Sequence, residues 1–185
     1  MDEAIRVPPT ATAPGLLLRP WAEDDIPALL MAHQDPVMRR WLRHPVTSAG
    51  QARDIIAKHE AARRAGTSFS FAVQVIDTGA GAGDPVGGVS VRGLGGETAR
   101  GEVGYWTAPD ARGQGIAPRA LSAVCAWAFQ LPRLRSLEGL ELIHAVGNQA
   151  SCRVAAKAGF TLSAVLPPLP PEFPGDGHLH IRLAR

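Results

Sequence analysis

The hydrophobic period of this chain changes at Phe69, and that change constrains the fold more than any other feature. Upstream, Ile26, Leu29, Leu30 and His33 fall at i, i+3, i+4 and i+7, and Ala52, Ile55, Ile56 and His59 repeat this helical spacing. Asp24 is placed to cap the first of these helices, with Pro27 in its first turn. Ser48 and Gln51 have the spacing of a capping box for the second, which Gly66 ends. From Phe69 the period is two: Phe69, Phe71, Val73 and Val75 alternate with Ser70, Ala72, Gln74 and Ile76, as in a strand with an apolar face. Two more strands, over 86–92 and 102–107, follow across Gly-rich turns and predict an antiparallel meander.

The rest of the chain alternates. A helix over 116–129 carries Leu121, Val124, Cys125 and Ala128 on one stripe. An apolar strand over 137–146 follows, then a helix over 148–158 stopped by Gly159, and strands over 160–166 and 178–184. With a short first strand at Leu16–Leu18, the order is β α α β β β α β α β β. The strand-helix-strand unit at 102–146 implies a parallel crossover within an otherwise antiparallel sheet. The expected fold is mixed α/β (α+β), with a mostly antiparallel sheet of six to seven strands and flanking helices.

Composition fits that expectation. A length of 185 residues with 45% hydrophobic content suits one domain, assigned to 15–185. Residues 1–14, rich in Pro, Thr and Ala, are expected to be a flexible lead-in. A net charge of +2 is too slight to predict direct nucleic-acid binding or an anionic membrane partner. The 19 basic residues include only two lysines, Lys58 and Lys157, which limits Schiff-base chemistry. The two cysteines, Cys125 and Cys152, cannot build a disulfide scaffold. No apolar run is long enough for a membrane span and no leader is visible, so a cytoplasmic location is expected.

Chemistry concentrates between Gly101 and Pro118. A strand ends near Thr107, Arg112-Gly113-Gln114-Gly115 form a short loop, and a helix begins with Pro118 in its first turn. A helix start leaves backbone N–H groups without intrahelical partners and carries the positive end of the dipole. Glycines at 113 and 115 let those groups close around a diphosphate, with Arg112 and Arg119 adding charge beside it. The dinucleotide fingerprint is disfavoured because Pro118 holds the position of its third glycine, and a P-loop lacks its lysine. An ordinary strand-to-helix turn remains the alternative.

A second motif follows: Asn148-Gln149-Ala150-Ser151, then Lys157-Ala158-Gly159-Phe160. Arg-x-x-Gly-x-Ala opening one helix, paired with Asn-x-x-Ser and Lys-x-Gly-Phe, resembles the GNAT superfamily of acyl-CoA N-acyltransferases. It most resembles the branch of Rim-type enzymes that acetylate N-termini of ribosomal proteins. The resemblance spans about residues 15–185. It implies acetyl transfer from acetyl-CoA to an amine acceptor, either a protein N-terminus or a small molecule. Pantetheine would lie between the strands at 102–107 and 137–146, hydrogen-bonded to the backbone of Trp106, Thr107 and Ala108. Arg112, Gly113, Gln114, Gly115, Ile116 and Ala117 would hold the pyrophosphate. Asn148 and Ser151 would face the thioester and pantetheine end, with Arg153 or Lys157 nearer the nucleotide.

Direct attack needs a base for the amine and hydrogen-bond donors for the oxyanion and thiolate. The resemblance offers Glu172 as the preferred base and Glu102 as its competitor. The tyrosine that many family members carry four residues before the glycine is Ala155 here; the resemblance to Rim-type members implies Ser151 as a hydrogen-bond donor to the leaving group. Trp41, under the two early helices, and His178 are candidate acceptor contacts. His178 and His180 share one strand face, but with no third ligand nearby in sequence no metal is expected. Cys152 has no activating neighbour in the sequence. The alternative function is a non-catalytic acyl-CoA sensor of the same fold, and a homodimer is left open.

Overall fold

In a computed structural model, which describes residues 4–41, 45–77, 81–95, 99–171 and 173–184, the two-residue period becomes the expected meander. Strands β3 (Ser68–Asp77), β5 (Gly87–Arg92) and β6 (Arg100–Thr107) pair antiparallel in succession. Strand β2 (Gly15–Pro20) pairs with the outer edge of β3, and a two-residue β4 (Gly81–Ala82) folds onto the end of β3. Beyond β6 the direction changes: β7 (Gly139–Ala145) runs parallel to β6, and β9 (Gly177–Leu183) and β8 (Thr161–Leu166) complete the sheet antiparallel. The path is β1-β2-β3-β5-β6-β7-β9-β8, so the sheet has nine strands with β4, against the six to seven expected.

Register explains the core. Val73 faces Leu18, Phe71 faces Val89, and Phe69 faces Val91, which in turn faces Val103; all lie on one sheet face. Helix α4 (Ile116–Gln130) covers that face with buried Leu121, Val124, Cys125 and Ala128. Each such leucine or phenylalanine contributes about 1.5–3 kcal/mol relative to exposure. Burial pushes the Cys125 thiol up to about 12, so it is a packing residue. Helix α5 (Gln149–Lys157) lies on the same side, between β7 and β8 in the chain. On the other face, α1 (Ile26–Gln34) and α3 (Ala49–Ala65) build a smaller core from Ile26, Leu29, Val46 and Ala52, flanked by Trp21 and Trp106.

Three local expectations change. Within 1–14, Ile5–Val7 form strand β1, antiparallel to β2. The Arg119 guanidinium on α4 donates to the carbonyls of Pro14 at 2.6 Å and Pro8 at 2.7 Å. A clamp reaching back more than a hundred residues leaves no local trace in the sequence. A short helix, α2 (Pro36–Trp41), follows α1. At the start of α1 the acidic residue that matters is Asp25, not Asp24: its carboxylate accepts from Ala22 N–H at 2.8 Å and takes both Arg19 nitrogens at 2.7 Å. Ser48 does cap α3, and Gly66 ends it at φ 73°.

Candidate acyl-transfer site

The parallel pairing of β6 with β7 covers only Arg100–Glu102 against Gly139–Glu141. Further along, β6 pairs only with β5 and β7 only with β9, so the facing edges separate and leave a cleft lined by unpaired backbone. Ala108 N–H donates to Val86 O at 2.8 Å and therefore points away from the cleft. Alternation then turns the Trp106 backbone toward β5 as well, and that of Tyr105 and Thr107 toward the cleft. The backbone groups of Trp106 and the N–H of Ala108, expected to serve a ligand, are thus turned to β5, a correction to that expectation, while those of Thr107 and Tyr105 face the cleft. The Trp106 side chain points to the helical layer, stacked on Trp21 with centroids 5.9 Å apart and edge-on to His33. Gly88 makes room for this stack: a Cβ there would lie 2.5 Å from Trp106 Nε1.

The loop before α4 has the form expected of an anion cradle. Gly113 and Gly115 adopt φ of 77° and 72°, left-handed values that favour glycine. Among the described residues, the N–H groups of Gly113, Gln114, Gly115, Ile116 and Ala117 donate to no other backbone group, and Pro118 has none to offer. The two arginines are partly committed elsewhere. Arg112 is hydrogen-bonded to Asp35 at the α1–α2 junction and holds that carboxyl below its ordinary range. Arg119 clamps the N-terminal segment, so its positive charge lies beside the loop while its donors do not.

At the other end of the cleft, Asn148 caps α5: its Oδ1 accepts from Ser151 N–H at 3.2 Å. Ser151, only 8% exposed, is 2.7 Å from the hydroxyl of Tyr105 on β6. Tyr105 is the single tyrosine of the chain, and its uniqueness was the one clue the sequence offered. Burial raises its pKa, and the bond to Ser151 opposes that rise only in part. Arg153 is exposed on the outer side of α5. Trp41 at the end of α2 is 37% exposed and abuts the loop before Asn148, where a Cβ on Gly147 would lie 3.7 Å from its ring.

Glu102 sits where the β6–β7 pairing ends and is ion-paired with Arg92 across from it on β5. Glu172 lies outside the described residues. Beneath α5 stands a group that sequence inspection did not assemble. His144 of β7, His178 and His180 of β9 and Cys152 of α5 turn their nitrogen and sulfur atoms to one point, all within 4.8 Å of one another. Burial lowers the pKa of His144 and His180. His178 and His180, which have no third candidate ligand nearby in sequence, are joined in space by His144 and Cys152.

A mixed sheet that splays beside a Gly-rich helix start defines a class, the acyl-CoA-dependent transferases. The family model described as "Acetyltransferase (GNAT) domain" matches residues 15–161, and the chain belongs to that family. No curated protein matches the sequence. Among solved structures, RimJ of Mycobacterium smegmatis in complex with CoA-disulfide is 22% identical, with 99% of this chain and 87% of that one covered at a TM-score of 0.79. A RimL ribosomal L7/L12 alpha-N-protein acetyltransferase in complex with coenzyme A is also 22% identical, with coverage of 96% and 97% and a TM-score of 0.79. The microcin C7 self-immunity acetyltransferase MccE, in complex with acetyl-CoA and AMP, is 16% identical, with coverage of 94% and 97% and a TM-score of 0.77. At these identities the likeness is one of fold. Among the described residues, no helix is long and apolar enough to cross a membrane.

Proposed function

We propose that this acetyltransferase binds acetyl-CoA in the β6–β7 cleft and acetylates the free N-terminus of a protein. The observation that carries the cofactor assignment is the pairing of a splayed strand edge with unengaged N–H groups at 113–117. Those groups hold the pyrophosphate, and the backbone of Tyr105 and Thr107 binds pantetheine as an added strand would. The acceptor assignment is supported by the Rim-type neighbours, which include an alpha-N-protein acetyltransferase. The cytoplasm is the compartment we assign, since a reducing environment keeps Cys125 and Cys152 as free thiols.

In this mechanism a carboxylate takes a proton from the ammonium form of the acceptor. The neutral nitrogen attacks the thioester carbonyl, the C–S bond breaks as donated hydrogen bonds stabilise the thiolate of CoA, and the nitrogen's surplus proton passes to that thiolate to leave an amide and the free thiol. Ser151, backed by the Tyr105 phenol, is the donor beside the leaving group. Glu172 is the base we favour; what supports it is that Glu102 is engaged by Arg92. Glu172→Gln is expected to lower kcat at least tenfold and move the acidic limb of the kcat profile, with little change in acetyl-CoA affinity. If Glu102→Gln does this instead, the bases are exchanged.

The acceptor is tested by thiol release from acetyl-CoA across peptides with free N-termini, N-terminally blocked peptides, aminoglycosides and polyamines. Turnover confined to free N-terminal peptides is expected. Faster turnover with the small amines overturns the acceptor class and leaves the transferase intact.

A further inference from the structure

The histidine and cysteine group beneath α5 has the dimensions of a metal centre. Antiparallel register places His144 directly opposite His178, and His180 lies two residues along the same face of β9. Cys152, in the first turns of α5, closes the group from above. His144 Nε2 is 3.1 Å from His180 Nε2, and Cys152 Sγ is 3.2 Å from His178 Nδ1, 3.6 Å from His144 Nε2 and 3.9 Å from His180 Nε2. Zinc bonds of about 2.0–2.1 Å to nitrogen and about 2.3 Å to sulfur, at tetrahedral angles, put nitrogens about 3.3–3.4 Å apart and sulfur about 3.6 Å from each nitrogen. The three sulfur–nitrogen separations bracket their value, and the His144–His180 pair lies just below the nitrogen one. All four atoms lie within 4.8 Å of one another, so side-chain rotation would draw them onto an ion at the centre.

The surroundings favour a cation over a plain hydrogen-bond network. His144 Nδ1 lies 2.9 Å from the carbonyl of Ala145. Donation there puts the ring proton on Nδ1 and leaves the Nε2 lone pair facing the group, the arrangement of a histidine ligand oriented by a carbonyl. His180 is only 4% exposed and its Nδ1 has no partner among the described residues. His180 is buried and the other three are half-buried, so a cation that takes up the facing lone pairs would offset the cost of crowding three imidazoles and a thiol.

We propose that His144, Cys152, His178 and His180 form a closed tetrahedral site for a divalent cation of the zinc class. Thiolate with imidazole selects zinc and its borderline neighbours over magnesium or calcium, which take oxygen ligands. Four protein ligands leave no open coordination position, so the ion does not act on the thioester. Its effect is positional: it ties β7, β9 and the start of α5 together beside Ser151. Binding converts the Cys152 thiol to thiolate and releases one proton for each ion bound. His178 then serves as a ligand and not as an acceptor contact.

The test uses the full chain without a polyhistidine tag, stripped by chelator and kept reduced. Zn2+ is titrated against a chromophoric chelator, and Co2+ is bound in parallel as a spectroscopic probe. One equivalent of Zn2+ with sub-micromolar affinity is expected, together with tetrahedral ligand-field bands and a thiolate-to-metal charge-transfer band for Co2+. Zn2+ should also raise Tm. Cys152→Ser should abolish the charge-transfer band and weaken zinc binding at least tenfold while keeping the wild-type circular dichroism. His178→Gln serves as a second variant at the half-buried rim, and should weaken zinc binding similarly. Binding that is absent, weaker than micromolar, or octahedral without the thiolate band overturns the proposal.

Discussion

At the scale of single residues, position 115 shows how a backbone angle can set chemistry. Gly115 is the N-cap of α4 in the left-handed region, and a Cβ there would meet nothing within 4 Å. Substitution is therefore opposed by backbone strain of about 1–3 kcal/mol, not by a clash. Gly115→Glu would add a negative charge among the N–H groups of the cradle, and acetyl-CoA binding should fall at least a hundredfold by calorimetry while the protein stays folded. Unchanged affinity would remove the cradle from the cofactor site. Tyr105 and Ser151 form a different kind of unit, two hydroxyls on separate elements sharing one hydrogen bond. Tyr105→Phe keeps the packing and removes the phenolic proton, so kcat should drop about tenfold or more with KM for acetyl-CoA little changed. Ser151→Ala should do the same, and the double variant should cost less than the two single effects combined.

At the scale of elements, an ionic knot joins the helical layer to the sheet. Arg19, at the end of β2, binds Asp25 with both terminal nitrogens and Gln74 of β3 through Nε at 2.9 Å. Asp25 is 3% exposed and also accepts from Ala22, so it fixes where α1 begins. Arg19 is more open, which lowers the worth of the pair below that of a fully buried one. Asp25→Ala is expected to destabilise the fold by about 2–3 kcal/mol in denaturant unfolding. A loss under about 0.5 kcal/mol would make the knot incidental.

Across the whole molecule, buried histidines couple stability to acid. His33 is 8% exposed, and its Nδ1 accepts from Val46 N–H at 2.9 Å. Burial lowers its pKa and that of His59 below the ordinary value of 6.5. Below about pH 6.5 the unfolded chain takes up protons that the folded one resists, so stability falls as pH falls toward the depressed folded values. The slope is at most about 1.4 kcal/mol per pH unit for each such histidine. His33→Asn offers Val46 an acceptor that does not titrate, and it should flatten the decline in unfolding free energy between pH 6.5 and 5. An unchanged slope would assign the acid sensitivity to other groups.

The order of elements and the cradle were legible in the sequence because both are local. A two-residue or helical period records which side of an element is buried, and a glycine pair before a helix records a left-handed turn and free N–H groups. The strand-helix-strand unit likewise implied the parallel β6–β7 contact through the handedness of crossovers. What only the tertiary structure decided was which distant residues meet. Tyr105 reaches Ser151, Arg119 is drawn to the carbonyls of Pro8 and Pro14, and Ala108 turns its N–H from the cleft to Val86. His144 and Cys152 supply the partners that His178 and His180 lacked as a sequence pair. Each of these depends on the register of strand pairing and the seat of a helix on the sheet. A shift of one residue would turn His144 to the opposite face, and no local propensity sets that register.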